Sequence, residues 1–241
     1  MQLTIVIPTY NEAENLPRLV PALFDLGLDL RLLVVDDNSP DGTGQLVEQM
    51  GQTTNGRVML LHRPGKLGLG TAYLAGFGQA LQKGAQAVGQ MDADFSHPVE
   101  KLPELMEMLE SCDVAIGSRY VPGGSLDERW PLWRRWLSGF GNFYARTILN
   151  LPLRDVTGGF RIWRRETLQG MPLEQVRSSG YAFQVEMAYL AHRLGYKMAE
   201  IPIYFADRRW GQSKMSFRIQ REAALRVWQI LFQYRDLKHK M

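Results

Sequence analysis

Residues 85–98 read Ala-Gln-Ala-Val-Gly-Gln-Met-Asp-Ala-Asp-Phe-Ser-His-Pro, so that two acids one residue apart follow a short apolar run. The run predicts a strand, and Asp92 and Asp94 then stand at its carboxyl end, where open α/β sheets bind their ligands. Mg²⁺ is commonly held by one or two carboxylates together with substrate phosphates. The stretch therefore predicts a metal and diphosphate site, although acids of this kind also form turns and helix N-caps.

Strand-like and helical patterns alternate on either side of this stretch, through the first half of the chain. The predicted strands span residues 3–7, 30–35, 58–62, 85–91 and 114–118. The predicted helices between them span residues 12–26, 43–49, 71–83 and 99–109. This order is typical of βαβ units, so we expect an α/β fold in which helices flank a mostly parallel central sheet.

The alternation breaks after Tyr120, and the second half is expected to build the site of a second substrate. It contains predicted helices at residues 136–150 and 183–194 and a strand-like run at residues 198–205. We expect residues 1–217 to form one domain and residues 218–241 to form a basic amphipathic segment. That segment either packs on the domain or contacts a membrane surface.

The composition restricts the cellular setting. Cys112 is the only cysteine among 241 residues, which excludes an internal disulfide and a cysteine-based zinc cluster and suits a reducing compartment. The first strand lacks the basic start and long apolar region of a signal peptide. No apolar run approaches the roughly 20 residues that span a bilayer. We expect a cytoplasmic protein whose membrane association is peripheral or comes from a membrane-protein partner.

The charge is uneven along the chain. The formal net charge is only +3, yet nine Lys and Arg residues stand against three acids in residues 206–241. Such a tail predicts binding to anions, and composition alone does not separate nucleic acid, a phosphorylated substrate and an anionic lipid. A nucleic-acid-binding role depends on this tail alone and lacks a recognisable module, so we expect no nucleic-acid partner.

Two further acid-bearing loops end predicted strands at the same sheet edge as Asp92. Residues 8–12 (PTYNE) follow the first strand, and residues 36–43 (DDNSPDGT) follow the second. Several of these residues are good turn formers and helix caps. The acids directly after the second strand are also well placed to hydrogen-bond a ribose or a base.

The loop at residues 63–72 (RPGKLGLGTA) opens the third helix. Its glycine spacing is not the dinucleotide fingerprint, and no phosphate loop of the G-x-x-x-x-G-K-[S/T] type occurs, which argues against a dehydrogenase and a P-loop ATPase. Lys66 and the helix N-terminus either help to hold a phosphate or sugar or form a plain loop-to-helix turn.

Seven motifs together resemble those of the dolichol-phosphate (polyprenol-phosphate) mannose synthases of glycosyltransferase family 2. They are residues 8–12 (PTYNE), 36–42 (DDNSPDG), 65–70 (GKLGLG), 91–98 (MDADFSHP), 117–120 (GSRY), 157–161 (TGGFR) and 211–214 (GQSK). The resemblance covers residue 3 to about residue 217 and implies the GT-A nucleotide-diphospho-sugar transferase fold. Unlike some relatives, the sequence shows no C-terminal transmembrane segment, so we expect attachment either through the C-terminal basic segment or through a membrane-protein partner.

The resemblance implies an inverting, metal-dependent enzyme that transfers a hexose to a polyprenyl or dolichyl monophosphate. Mannose from GDP-mannose is the expected donor group, and Mg²⁺ or Mn²⁺ the expected cofactor. A UDP-glucose or UDP-N-acetylhexosamine donor is an alternative within the same class. A non-catalytic, nucleotide-sugar-binding subunit of a membrane complex is a second alternative, against which the retained charged residues argue.

Site residues follow from the same resemblance. The donor is expected to contact Pro8, Tyr10, Glu12, Val35, Asp37, Asp92, Ala93, Asp94, Arg119, Arg208 and Lys214. Asp92 and Asp94 are expected to hold the metal and, with Arg119, to be catalytic. Arg119, Arg134 and Ser138 are expected to hold the acceptor phosphate, with Arg135 as the alternative to Arg134.

The chemistry of the expected acceptor explains why no general base is sought. The second pKa of a phosphomonoester is about 6, so a lipid phosphate is largely dianionic at neutral pH and is its own nucleophile. His97, which precedes Pro98, is accordingly interpreted as a turn residue.

Two segments are candidates for contact with the lipid surface. The C-terminal segment has apolar residues at helical spacing, Ala224, Val227, Trp228, Leu231 and Tyr234, with cations such as Arg226 between them. This pattern fits an interfacial helix and equally a helix that packs on the domain. Residues 129–136 are the second candidate, because tryptophan and arginine alternate there.

Overall fold

A computed structural model describes residues 1–207 and 217–237. Nine strands occur within these residues: β1 (Leu3–Thr9), β2 (Leu30–Asp36), β3 (Val58–His62), β4 (Ala87–Gln90), β5 (Val114–Ser118), β6 (Ser125–Leu126), β7 (Arg161–Arg164), β8 (Met198–Pro202) and β9 (Tyr204–Phe205). Eight α-helices occur in the same described part: α1 (Leu16–Phe24), α2 (Thr43–Thr53), α3 (Leu69–Gln82), α4 (Leu102–Met108), α5 (Leu132–Ile148), α6 (Arg165–Gly170), α7 (Gly180–Arg193) and α8 (Phe217–Tyr234).

Seven of these strands form one sheet in the order β3-β2-β1-β4-β7-β5-β8. Strands β3, β2, β1 and β4 are parallel, and so are β5 and β8, whereas β7 runs antiparallel to both of its neighbours. The α/β class and the mostly parallel sheet expected from the sequence are confirmed. The parallel register pairs Pro8 with Val35 and Thr9 with Asp36, so the loops after β1 and β2 leave the sheet together.

Apolar residues on both faces of the sheet are buried under helices. Along β1, Val6 belongs to one core, and Ile5 and Ile7 belong to the other. The first core also contains residues of α3, α7 and α8, and the second contains residues of α1, α2 and α4. Alternate side chains of a strand point to opposite faces, which explains the near-continuous apolar runs in the sequence.

The last described helix, α8, has two different faces. Val227, Ile230 and Tyr234 are buried in the core that contains α7, whereas Trp228 and Phe232 are exposed. The reading in which the segment packs on the domain therefore holds for one side of α8, and membrane contact by the exposed side stays a prediction. Within the described residues, no helix combines the length and apolar character that a bilayer crossing needs.

Several element boundaries differ from the sequence predictions, and three of the differences have a clear structural basis. Helix α1 begins at Leu16 rather than residue 12, because side chains of the β2–α2 loop bind the backbone of residues 11–13. Helix α5 begins at Leu132, directly after the extended Pro131, rather than at residue 136. The run at residues 198–205 is two strands, since β8 pairs with β5 and β9 pairs with β6.

Candidate active site

Asp36 organises the loops at the carboxyl ends of β1 and β2. Its buried carboxylate accepts hydrogen bonds from Thr9 Oγ1 at 3.1 Å and from the Ser39 backbone N–H at 3.1 Å, and also from the Ser39 hydroxyl. Ser39 Oγ in turn accepts the Asn11 N–H at 3.0 Å. These contacts commit the carboxylate of Asp36 to holding the two loops together, whereas Asp37 makes different contacts.

Asp37 lies beneath the loop that follows β3. Its Oδ1 is 3.2 Å from Arg63 Nη1, and both side chains are more than 90% buried. Burial raises the pKa of Asp37, while the Arg63 charge and a hydrogen bond from the Leu67 backbone counteract that rise. Arg63 also donates to Thr71 Oγ1 at 2.8 Å, which ties the loop to α3.

Tyr10 and Glu12, two further predicted donor residues, lie on the loop that follows β1. Lys66 Nζ is 4.0 Å from the centroid of the Tyr10 ring, so the 63–72 loop reaches over the loop after β1. Glu12 Oε2 accepts from Asn15 Nδ2 at 2.6 Å. The sequence analysis predicts no role for Arg63. The only signal that the sequence offers is the position of this residue directly after the third strand.

Asp92 and Asp94 follow β4 in a tightly bonded loop. Tyr73 Oη donates to Asp92 Oδ1 at 3.4 Å, and the Ser96 N–H donates to Asp94 Oδ1 at 3.0 Å. Phe95, directly after Asp94, has φ of 61°, a left-handed conformation that is rare for a bulky residue and persists only when the surroundings enforce it. Burial and the nearby Asp92 charge raise the pKa of Tyr73 well above its ordinary value, so its hydroxyl stays a donor.

This acid pair fits a divalent cation that binds together with a diphosphate. No group of three or more His, Cys, Asp and Glu side chains could hold a metal anywhere in residues 1–207 and 217–237. Two carboxylates suit Mg²⁺ or Mn²⁺, which accept oxygen ligands and fill their remaining positions with phosphate and water. The Ser96 Oγ, buried one residue beyond the pair, has no hydrogen-bond partner among the described residues. Asp92 and Asp94 would hold the metal.

Arg119, just after β5, is locked to Asp155 by a buried ion pair. Its Nε and Nη2 lie 2.7 and 2.8 Å from the two carboxylate oxygens of Asp155, and Nη2 also donates to Thr157 Oγ1 at 2.7 Å. Despite burial, the charge of Asp155 raises the pKa of Arg119, and Arg119 in return lowers the pKa of Asp155. The pair therefore presents a permanently charged guanidinium in a fixed orientation.

Arg134 and Ser138 are one turn apart on the inner side of α5. Arg134 Nη1 is 3.1 Å from Asp207 Oδ1, and its guanidinium carbon lies 3.6 Å from the centroid of the Trp130 ring. Ser138 Oγ is 2.8 Å from the hydroxyl of Tyr120, the neighbour of Arg119. Arg135 is exposed, so Arg134 is the arginine of this pair that faces the site.

Residues 205–207 connect the acid pair with these cations. The Ala206 N–H donates to the Ser96 carbonyl at 3.3 Å, and Asp207 pairs with Arg134. The Phe205 ring lies 5.3 Å from the Arg119 guanidinium carbon. The predicted donor residues Arg208 and Lys214 follow this segment and lie outside the described residues.

Comparisons with known proteins identify the family. The model of the family described as "Glycosyl transferase family 2" matches residues 4–171. The polyprenol monophosphomannose synthase of Mycolicibacterium smegmatis is 45% identical over 92% of this chain and 84% of its own length. The undecaprenyl-phosphate mannosyltransferase of Micrococcus luteus is 42% identical over 100% of this chain and 99% of its own.

A solved structure shows the same fold at lower sequence identity. The mannosyltransferase of Pyrobaculum calidifontis, in complex with GDP-Man and Mn²⁺, aligns with a TM-score of 0.64 and 19% identity. The alignment covers 99% of this chain and 65% of the other.

Proposed function

Because the chain belongs to glycosyl transferase family 2 and is a glycosyltransferase with the GT-A fold, we propose that it transfers mannose from GDP-mannose to a polyprenyl monophosphate. Mg²⁺ or Mn²⁺ is the cofactor, and the anomeric centre is inverted. The names of the two relatives support the acceptor and the sugar, and the structure solved with GDP-Man and Mn²⁺ supports the donor and the metal.

The observation that carries this proposal is that one segment, residues 205–207, contacts both the loop of Asp92 and Asp94 and the cations Arg119 and Arg134. Residues 205–207 contact the acid-pair loop through Ala206 and the cations through Phe205 and Asp207. A diphosphate at Asp92 and Asp94 and a monophosphate at Arg119 and Arg134 would thus lie beside each other. Transfer of a sugar between two phosphate groups needs this proximity.

The residues of the chain act by neutralising and orienting anions. The acceptor phosphate attacks without a general base, since it is already ionised at neutral pH. Arg119, held by Asp155, keeps its charge and direction as the phosphate approaches. A divalent cation held by Asp92 and Asp94 would neutralise the leaving diphosphate. Attack from the side opposite the leaving group accounts for inversion.

A donor panel tests this function directly. Purified protein, Mn²⁺ and a short polyprenyl phosphate are incubated with labelled GDP-mannose, UDP-glucose or UDP-N-acetylglucosamine, and extraction into organic solvent measures the product. We expect label in the organic phase from GDP-mannose alone. Labelled lipid from a UDP sugar instead would support one of the alternative donors. The absence of any labelled lipid would refute the proposed function.

Arg134→Ala is expected to raise the KM for polyprenyl phosphate roughly ten- to hundredfold, which corresponds to a charge-assisted hydrogen bond of about 1.5–3 kcal/mol. The KM for GDP-mannose is expected to stay near that of the wild type, because Arg134 contacts Trp130 and Asp207 rather than the acid pair. Arg135→Ala, which changes an exposed arginine on the same helix, is the matched control. Equal losses for donor and acceptor would assign Arg134 to the donor site.

An apolar surface accompanies the acceptor site. The exposed large apolar residues of α5 are Leu132, Trp133, Trp136, Phe140 and Phe143, and those of the described side chains of α8 are Leu225, Trp228 and Phe232. Trp228 Nε1 donates to Tyr144 Oη at 3.0 Å, so the two exposed faces adjoin. We call these eight residues the α5–α8 face. Contiguous exposed apolar residues of this extent mark an interaction site.

The occupant proposed for the α5–α8 face is the cytoplasmic surface of the membrane that carries the acceptor. Arg134 and Ser138 lie on the inner side of the same helix α5, which would bring the phosphate of a membrane lipid to the site. Exposed aromatic side chains suit the interface between headgroups and acyl chains. Arg226 is not among the lipid-facing cations, because it turns inward to Ser178 and the buried Glu186.

Vesicle co-sedimentation is expected to fall when Trp133 and Trp136 are both changed to Ser, and again when Trp228→Ser is added. Binding is also expected to fall at high salt or without anionic lipid, since each cation near such a surface contributes about 1 kcal/mol and salt screens it. Tyr204→Ser removes an exposed aromatic on β9 and is the control. Point changes are preferable to truncation after Phe217, which would uncover the core under α8. Full vesicle binding by the triple variant would rule out the α5–α8 face.

A further inference from the structure

The His97 ring is buried between three parts of the chain. Only 2% of the residue is exposed, and its ring stacks on Phe160 with centroids 5.1 Å apart and planes 12° apart. The Phe205 ring meets it edge-on at 5.5 Å. A Cβ at Gly159 would lie at an ordinary contact distance, 3.6 Å, from His97 Cε1, so the loop before β7 packs against the ring. His97, interpreted from the sequence as a turn residue, is thus also a buried packing position.

His97 also bonds the backbone of the acid pair. The Asp92 N–H donates to His97 Nδ1 at 3.1 Å, across a loop that contains the left-handed Phe95. A strained loop keeps its conformation only if surrounding contacts over-determine it. The ring and its nitrogen therefore supply two distinct restraints, one by packing and one by accepting a hydrogen bond.

We propose that His97 is a positioning residue that holds the Asp92 backbone, and through it the carboxylate pair, in the arrangement that binds a divalent cation with a nucleoside diphosphate. The inference depends on the proposed function, which assigns Asp92 and Asp94 to the metal and diphosphate. Through Phe160 and Phe205 the same ring keeps this loop in register with the segments that carry the acceptor cations. His97 touches neither substrate in this proposal.

Two substitutions separate the two restraints. His97→Asn keeps an acceptor atom near the position of Nδ1 but removes the ring, whereas His97→Phe keeps a ring and removes the acceptor. Calorimetry would measure GDP affinity with and without Mn²⁺, and thermal unfolding would verify the fold. We expect His97→Phe to lower the Mn²⁺-dependent gain in GDP affinity roughly tenfold, the usual effect of losing one buried hydrogen bond. His97→Asn is expected to keep most of that gain, and metal-free GDP affinity is expected to stay unchanged in both.

The outcomes distinguish this inference from the function on which it rests. If wild-type GDP binding does not depend on Mn²⁺, the assignment of Asp92 and Asp94 is wrong. If the wild type depends on Mn²⁺ and His97→Phe keeps the full gain, or loses affinity equally without metal, only the role of His97 is overturned. Should His97→Phe not fold, Phe160→Leu loosens the stacked ring instead, and an undiminished Mn²⁺-dependent gain in that variant overturns the proposal.

Discussion

Asp94→Asn is expected to slow sugar transfer about a thousandfold, because a bound divalent cation typically supplies several kcal/mol of charge stabilisation and each 1.4 kcal/mol is about tenfold in rate. The asparagine keeps the shape of the side chain, and its Oδ1 still accepts the Ser96 N–H. The fold is therefore expected to survive. Initial rates at limiting and saturating Mn²⁺, together with the midpoint of thermal unfolding, measure both effects.

The control for this loss is Asp113→Asn. Asp113 directly precedes β5, at the opposite edge of the sheet, and its carboxylate accepts the Lys197 N–H at 2.7 Å. An asparagine there preserves the acceptor, so the rate is expected to match the wild type. Near-normal transfer by Asp94→Asn at limiting Mn²⁺ would show that the acid pair does not hold the metal.

Arg119→Ala is expected to reduce the free energy of unfolding at pH 7 by about 3–5 kcal/mol, the usual cost of leaving a buried charge without its partner. The unpaired charge is that of Asp155, which is fully buried. A loss of acceptor use in this variant will therefore accompany a loss of stability, and the two need separate measurement. Urea unfolding supplies the stability, and acceptor KM on the folded fraction supplies the function.

The pH dependence of this loss has a definite sign. Arg119 lowers the pKa of Asp155 in the folded protein, so the pair stabilises the fold above the unfolded aspartate pKa of about 3.9. That stability disappears as the pH falls through the lower, folded pKa. Arg119 makes the largest contribution that lowers the pKa of Asp155, so the pKa is higher in the variant, and protonation of Asp155 then relieves the unpaired charge. The difference between variant and wild type is expected to shrink from pH 7 to pH 4.

Arg129→Ala provides the comparison for an exposed pair. The Arg129 side chain is 74% exposed although it bonds Asp127, and exposed ion pairs contribute little to stability. Its substitution is expected to change urea unfolding far less than Arg119→Ala. If the two variants lost similar amounts of unfolding free energy, the buried Arg119 and Asp155 pair would stabilise the fold no more than the exposed pair does.

Strands β2, β3 and β5 could be predicted from the sequence almost to the residue, and so could the place of Asp92 and Asp94 beyond β4. Strand β7 could not, because it is four residues long and begins with a buried arginine. Arg161 donates to three backbone carbonyls from Val156, Gly158 and Gln184, and burial lowers its pKa to about 10. A strand that begins with a charged residue has no hydrophobic pattern from which it could be predicted.

The sequence by itself determined the parallel half of the sheet and the chemical types gathered at its edge, because hydrophobic runs and strand ends depend on neighbours along the chain. Only the tertiary structure decided which charges meet. Arg119 and Asp155 pair across 36 positions, and Arg134 rather than Arg135 turns inward because α5 begins at Leu132 and Asp207 approaches it. Such pairs form where segments that are distant in sequence pack together. Local sequence patterns therefore do not predict them.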